Sequence, residues 1–172
     1  MSEKIVNFIV GMFGSLATMP FIKEIIVFII SMCPILELRG GIIAARLLGM
    51  EPLLGYIICM IGNVIPIPLI LWLINKILDF MRKSKHKKIN GIAIWLDKKV
   101  DKHKGQIEKY GYLGLVLFVG IPLPGTGAWT GCLIASVLEM DKKKSLLAAI
   151  VGVFIASVIM MLLSFGLLSN II

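Results

Sequence analysis

From Ser145 to Leu168 the chain runs for 24 residues without a charge or a proline. As helix, at about 1.5 Å per residue, that run reaches roughly 36 Å, enough to cross the ~30 Å hydrocarbon core of a bilayer with some tilt. A second stretch, Leu53 to Asn75, holds 23 residues without a charge and is interrupted only by Asn63, Pro66 and Pro68. Both read as membrane spans. Composition agrees: hydrophobic residues make up 58% of the chain and its mean hydropathy is +0.96, whereas a soluble domain is about 45–50% apolar. These features exclude an ordinary soluble enzyme and point to one small all-α integral membrane domain, residues 1–172.

Charge orients the spans. The net charge is +8, and between Lys76 and Lys109 there are 11 basic residues against four acids, Asp79, Asp97, Asp101 and Glu108, so this stretch alone carries +7. Lys142 to Lys144 form a second cluster. Basic loops stay on the cytoplasmic side; with Lys4, they leave only Lys23, Arg39 and Arg46 elsewhere. The basic stretch suits anionic headgroups better than nucleic acid, since no stacking or base-reading module accompanies it. Leu53–Asn75 must then end in the cytoplasm, and Ser145–Leu168 must start there.

Slid by 90 residues without a gap, the chain matches itself: Phe28 falls on Phe118, Pro34 on Pro124, Gly41 on Gly131, Leu48 on Leu138, Met50 on Met140 and Gly62 on Gly152. Each copy opens with an apolar segment that turns back on itself. Tyr112 to Leu138 turns at Ile121–Gly127, through Pro122 and Pro124. Its first arm, Tyr112 to Ile121, is ten residues, about 15 Å of helix and half a bilayer. Ile25 to Leu48 turns at Cys33–Gly41, through Pro34, and enters from the other side. The expected architecture is therefore two inverted repeats, each a re-entrant hairpin plus a transmembrane helix. The expected boundaries are an N-terminal helix over 1–24, a first repeat over 25–79, a basic cytoplasmic linker over 80–111 and a second repeat over 112–172.

Ile5 to Ile22 is 18 residues without a charge and could just span. Ser15-Leu16-Ala17 fits a small-x-small cleavage pattern, but a leader with only Glu3 and Lys4 ahead of it makes a signal peptide the weaker reading. Gly11, Gly14 and Pro20 also allow an interfacial helix. In the linker, Ile89, Ile92, Leu96, Val100, His103 and Ile107 recur at helical steps, with Lys98, Lys99, Lys102 and Lys104 off the stripe and Trp95 beside it. That predicts an amphipathic helix on the inner leaflet.

Broken backbone at membrane depth is tolerated where it is buried in protein or lines a wet cavity. The second arms are expected to begin near Gly40 and near Ala128, the latter with Thr126 as N-cap. In inverted copies both helix N-termini would point at the bilayer centre, and such ends attract anions. Gly125 and Gly127 would let a ligand approach the backbone closely; the bland alternative is that they merely help the hairpin pack. Glu37 and Arg39 lie within the first tip, where an ionisable group is a functional-site hypothesis by default. Arg39 would hold an anionic head by bidentate donation, and Glu37 would load and release a proton; a self-neutralising structural ion pair is the competing reading. Gly40, Gly41, Asn63, Pro124, Trp129 and Thr130 complete the candidate set. Cys33, Cys59 and Cys132 have no pairing pattern and read as small hydrophobes. His86 and His103 have no second metal ligand, and Arg46, Glu51 and Asp141 read as solvated anchors at the membrane edges. No metal or cofactor is expected.

The run CPILELRGGIIAA together with KYGYLGLVLFVGIPLPGTGAWTGCLIASVL resembles the bacterial small multi-drug export protein family, related to the DedA superfamily of membrane proteins with paired re-entrant hairpins. The likeness covers about residues 25 to 165. It implies a multi-pass protein of the bacterial cell membrane, and by its DedA-like relatives a translocation of polyprenyl phosphates or phospholipids driven by the proton gradient. The acidic and arginine positions of that superfamily carry over only to Glu37 and Arg39, since the second tip has no acid.

The leading expectation is a proton-coupled transporter of an amphipathic substrate with an anionic, lipid-phosphate head, its partners being membrane lipids, protons and a second copy in a homodimer. A variant exports cationic drugs with Glu37 as counter-ion. An intramembrane enzyme would need a nucleophile, with only Thr126, Thr130 and Glu37 at hand. A membrane organiser would act instead through Lys98, Lys99 and Lys102.

Overall fold

The computed structural model describes residues 21–83, 87–123 and 125–167. All described elements are helical: α1 (Ile22–Met32), α2 (Glu37–Leu47), α3 (Pro52–Val64), α4 (Pro66–Lys83), α5 (Lys87–Gly120), α6 (Ala128–Val137) and α7 (Lys142–Met161), with a π-helical turn at Leu162–Leu167. Most of the predicted N-terminal helix, Lys4, His86 and Pro124 fall outside the described residues. The chain divides into two compact units. One comprises the described residues up to Ile65 and those from Val153 onward, and the other Pro66 to Gly152. The boundaries fall inside the two apolar stretches long enough to cross a membrane, Pro52–Ile74 and Lys142–Gly166.

Less than half of each of these stretches is buried, so neither is the core helix of a soluble protein. Ile57, Ile61, Leu69, Trp72, Leu73, Leu147, Val151, Phe154 and Val158 all lie exposed along them. Apolar surface on this scale needs lipid around it. α3 ends at Val64, Ile65 caps it, and α4 begins at Pro66, whose missing N–H cannot continue the helical ladder.

The two units repeat the same local construction. In the first, α2 ends on Gly49 at φ 63°, with Gly49 N–H bonded to the Arg46 carbonyl and Met50 N–H to the Ala45 carbonyl. In the second, α6 ends on Glu139 at φ 53°, with Glu139 bonded to Ser136 and Met140 to Ala135. Both are Schellman ends, which satisfy the last carbonyls of a helix. The next helix is then capped alike. Glu51 accepts from the N–H groups of Leu53 (3.0 Å) and Leu54 (2.7 Å) at the start of α3, and Asp141 accepts from Lys144 N–H (2.9 Å) at the start of α7. Glu51 and Asp141 are exposed, as expected of edge residues, but their work is capping.

In the second unit α5 breaks at Gly111 (φ 57°, ψ −132°), which separates a basic limb, 87–110, from an apolar limb, 112–120. On the basic limb Val100 and Ile107 are buried, and the half-buried His103 meets the Phe118 ring edge-on at 5.5 Å. This part of the apolar stripe therefore packs on protein rather than on lipid headgroups, a correction to the reading of the whole stripe as membrane-facing. The side chains of Ile89 and Ile92 lie outside the described residues, and Lys98 and Lys102 are exposed.

Candidate functional site

In the first unit α1, α2 and α3 pack through their small residues. Ser31 on α1 is fully buried and donates its hydroxyl to the Val27 carbonyl at 2.8 Å. Gly41 on α2 sits where an added Cβ would strike the Ser31 hydroxyl and the Cys59 sulfur, and Gly62 on α3 lies against the Phe28 carbonyl. Gly55 packs on Ala45 in the same way. Small residues bring the helix backbones together where lipid offers no hydrophobic drive.

This packing fixes the first tip. After α1 the chain turns through Cys33, the exposed Pro34, Ile35 and Leu36, and α2 begins at Glu37. The predicted start near Gly40 is three residues late, because Glu37 N–H already bonds the Cys33 carbonyl and Gly40 N–H the Leu36 carbonyl, both at 2.9 Å. Glu37 and Arg39 therefore stand in the first turn of α2. Glu37 is 6% exposed and held at φ 51°, a left-handed backbone that costs a non-glycine residue about 1–3 kcal/mol and persists only where the surroundings impose it. Arg39 is half-buried and stands in the electrostatic field of Glu37. Gly40 is packed against Leu36 and Ile30. On α3, Asn63 is 2% exposed and its Oδ1 has no hydrogen-bond partner among the described residues.

The second tip is built differently. It runs from Ile121 to Gly127, with Pro122 half-buried and Gly125 at φ 89°. Gly127 is the N-cap of α6, at φ 150° and ψ −176°. The Thr126 hydroxyl donates backward, to the carbonyls of Ile121 (3.0 Å) and Leu123 (2.9 Å), and so satisfies the end of the first arm. Trp129 is half-buried and Thr130 buried in the first turn of α6.

Contacts also correct the register of the repeat. Gly131 packs on Val119 as Gly41 packs on Ser31, and Gly152 lies on the Val116 carbonyl as Gly62 lies on that of Phe28. The second arms and the helices after them keep the 90-residue spacing, but the first arms match at 88, so Pro34 corresponds to Pro122 and Phe28 to Val116. The second tip is two residues longer. Glu37 and Gly127 remain equivalent, and both take a positive φ just where the second arm begins.

The candidate residues thus fall into two groups. Glu37, Arg39, Gly40, Gly41 and Asn63 belong to the first unit, and Pro122, Gly125, Thr126, Gly127, Trp129 and Thr130 to the second. Sequence reasoning missed Ser31, whose signal is faint: one hydroxyl in an apolar helix, readable only once Gly41 and Gly62 are known to face it. A family model matches residues 37–159, a span that includes the second arm of the first hairpin, the whole second hairpin and most of both long apolar stretches. No curated protein and no solved structure shows a significant match to the chain. With its two lipid-exposed apolar stretches this is a membrane protein, and it belongs to the family described as putative small multi-drug export protein, by that description a family of transporters.

Proposed function

We propose that the chain is a proton-coupled carrier, not an enzyme, that moves an amphipathic substrate with an anionic phosphate head across the bacterial cell membrane, the basic limb of α5 lying on the cytoplasmic side. The observation that carries this reading is the first turn of α2, where a buried glutamate is held in a strained backbone beside a half-buried arginine. Strain at a buried charge is a feature that folding stability alone would remove, and it clusters at working sites.

The chemistry follows from competition for Arg39. While Glu37 is ionised, its charge holds the guanidinium. When Glu37 takes up a proton that attraction is lost, and Arg39 becomes available to a phosphate through its planar donor fork. The positive end of the α2 dipole adds to the anion's stabilisation. Loss of the proton restores the attraction to Glu37 and expels the anion. Proton and anion are then loaded and released together, while the apolar tail of the substrate stays in lipid.

A cationic drug would use Glu37 as counter-ion and would be repelled by Arg39, which disfavours that form of export here. The test is gradient-driven movement of a polyprenyl phosphate in proteoliposomes. Wild type should move it and Arg39→Ala should not. Movement of lipophilic cations instead, undiminished by Arg39→Ala, would replace the lipid-phosphate reading with the drug-export one.

A further inference from the structure

We infer that Asn63 is the hydrogen-bond acceptor for the proton-loaded form of Glu37. The inference rests on the reading of Glu37 as proton carrier and adds the group that receives it.

Helices α2 and α3 run antiparallel through the turn at Leu48–Glu51, and their contacts set a register. Gly55 faces Ala45, and one turn along Gly41 faces Cys59. A further turn in the same direction takes α2 back to Glu37 and α3 on to Asn63. Gly62, the neighbour of Asn63, faces Phe28 and Ser31 of α1, which turns Asn63 away from α1 and toward α2. Residues 55, 59 and 63 form one line on α3, as four-residue steps do.

At that level Asn63 is 2% exposed, with Oδ1 lacking a donor among the described residues. A buried acceptor left without a partner is costly, and apolar surroundings make it more so. An ionised carboxylate has no proton to offer it, whereas a protonated carboxyl carries one O–H donor. Asn63 therefore favours the loaded state of Glu37, as Arg39 favours the unloaded one. The other titratable groups on the elements packed here are few. α2 adds Arg46, more than two turns away. α3 brings only Cys59, a turn above, and Tyr56, whose hydroxyl meets that of Ser157 at 3.1 Å. α1 has Cys33 at its end and Lys23 and Glu24 at its far end, and residues 153–161 bring none.

Infrared difference spectra between acid and alkaline pH, on the full chain in lipid nanodiscs, read the C=O stretch of a protonated carboxyl directly. A band absent in Glu37→Gln belongs to Glu37. In Asn63→Leu it should move to higher wavenumber, as a carboxyl does when its O–H loses an acceptor. Asn63→Ser, whose hydroxyl is too short to reach, should give the same shift if the leucine variant does not fold. A second measurement uses the glutamine, which carries its donor permanently. Glu37→Gln should raise Tm by about 2–4 °C more in the Asn63 background than in the Asn63→Leu background. No Glu37 band at any pH, a band unmoved by both Asn63 substitutions, or an equal effect of Glu37→Gln in the two backgrounds would overturn the inference. Neither measurement involves a transported substrate, so failure of lipid-phosphate transport is a separate result.

Discussion

The two hairpin tips solve one backbone problem with opposite materials. Each starts its second arm from a residue at positive φ, 51° at Glu37 and 150° at Gly127, and the second tip uses glycine, the residue type that such backbone strains least. It also ties off its first arm with the Thr126 hydroxyl on the carbonyls of Ile121 and Leu123. The first tip puts a buried glutamate in the equivalent position and an arginine two residues on, and is two residues shorter. One tip is built for an unstrained turn, while the other accepts strain and buried charge. On the proposed reading, a strained glutamate stands where the other tip uses glycine because its carboxyl carries the proton.

Substitution at the matched pair should break that symmetry most visibly. Gly127→Ala is expected to lose about 2–3 kcal/mol, because φ 150° with ψ −176° is a region essentially confined to glycine. Glu37→Gly relieves the left-handed backbone but gives up the carboxylate beside Arg39, so it should cost less than Gly127→Ala, and it should abolish proton-driven transport. Thermal unfolding in detergent, paired with transport, checks both; a Glu37→Gly variant as unstable as Gly127→Ala would make Glu37 structural.

Next in size is Thr126→Val, which removes both hydroxyl bonds of the second tip and should cost about 1–2 kcal/mol. The substitution leaves Glu37 and Arg39 untouched, so transport per folded molecule should stay near wild type. Smallest are the caps. Glu51→Ala and Asp141→Ala should each cost about 1 kcal/mol, and by similar amounts, because the two units cap α3 and α7 alike. A large disparity between them would mean that the repeated construction is not energetically equivalent.

Much of this was legible before the structure. Long uncharged runs report lipid exposure directly, and prolines and glycines flanked by apolar arms marked both turns. Other features were hidden for physical reasons. A left-handed glutamate contradicts its own propensity, so no pattern announces Glu37's backbone. Thr126 was legible as a hydrogen-bonding group at the tip, but its bonds back to Ile121 and Leu123 were not, because sequence does not say which carbonyl a hydroxyl will reach. The ungapped repeat set Pro34 against Pro124 because the second arms dominate the match, while the two-residue difference in tip length shows only in how Gly62 and Gly152 seat on the first arms. Asn63 was visible as a polar residue at depth, but its level with Glu37 needed the packing of Gly41 on Cys59 and Gly55 on Ala45.

The most direct test of the account separates exchange from accumulation in proteoliposomes loaded with a polyprenyl phosphate. Glu37→Gln leaves Arg39 released, so it should exchange lipid phosphate across the membrane without a gradient but fail to concentrate it when a proton gradient is imposed. Arg39→Ala should do neither. A Glu37→Gln variant that still accumulates substrate under a gradient, or an Arg39→Ala variant that exchanges normally, would contradict the assignment of proton and anion to the first tip.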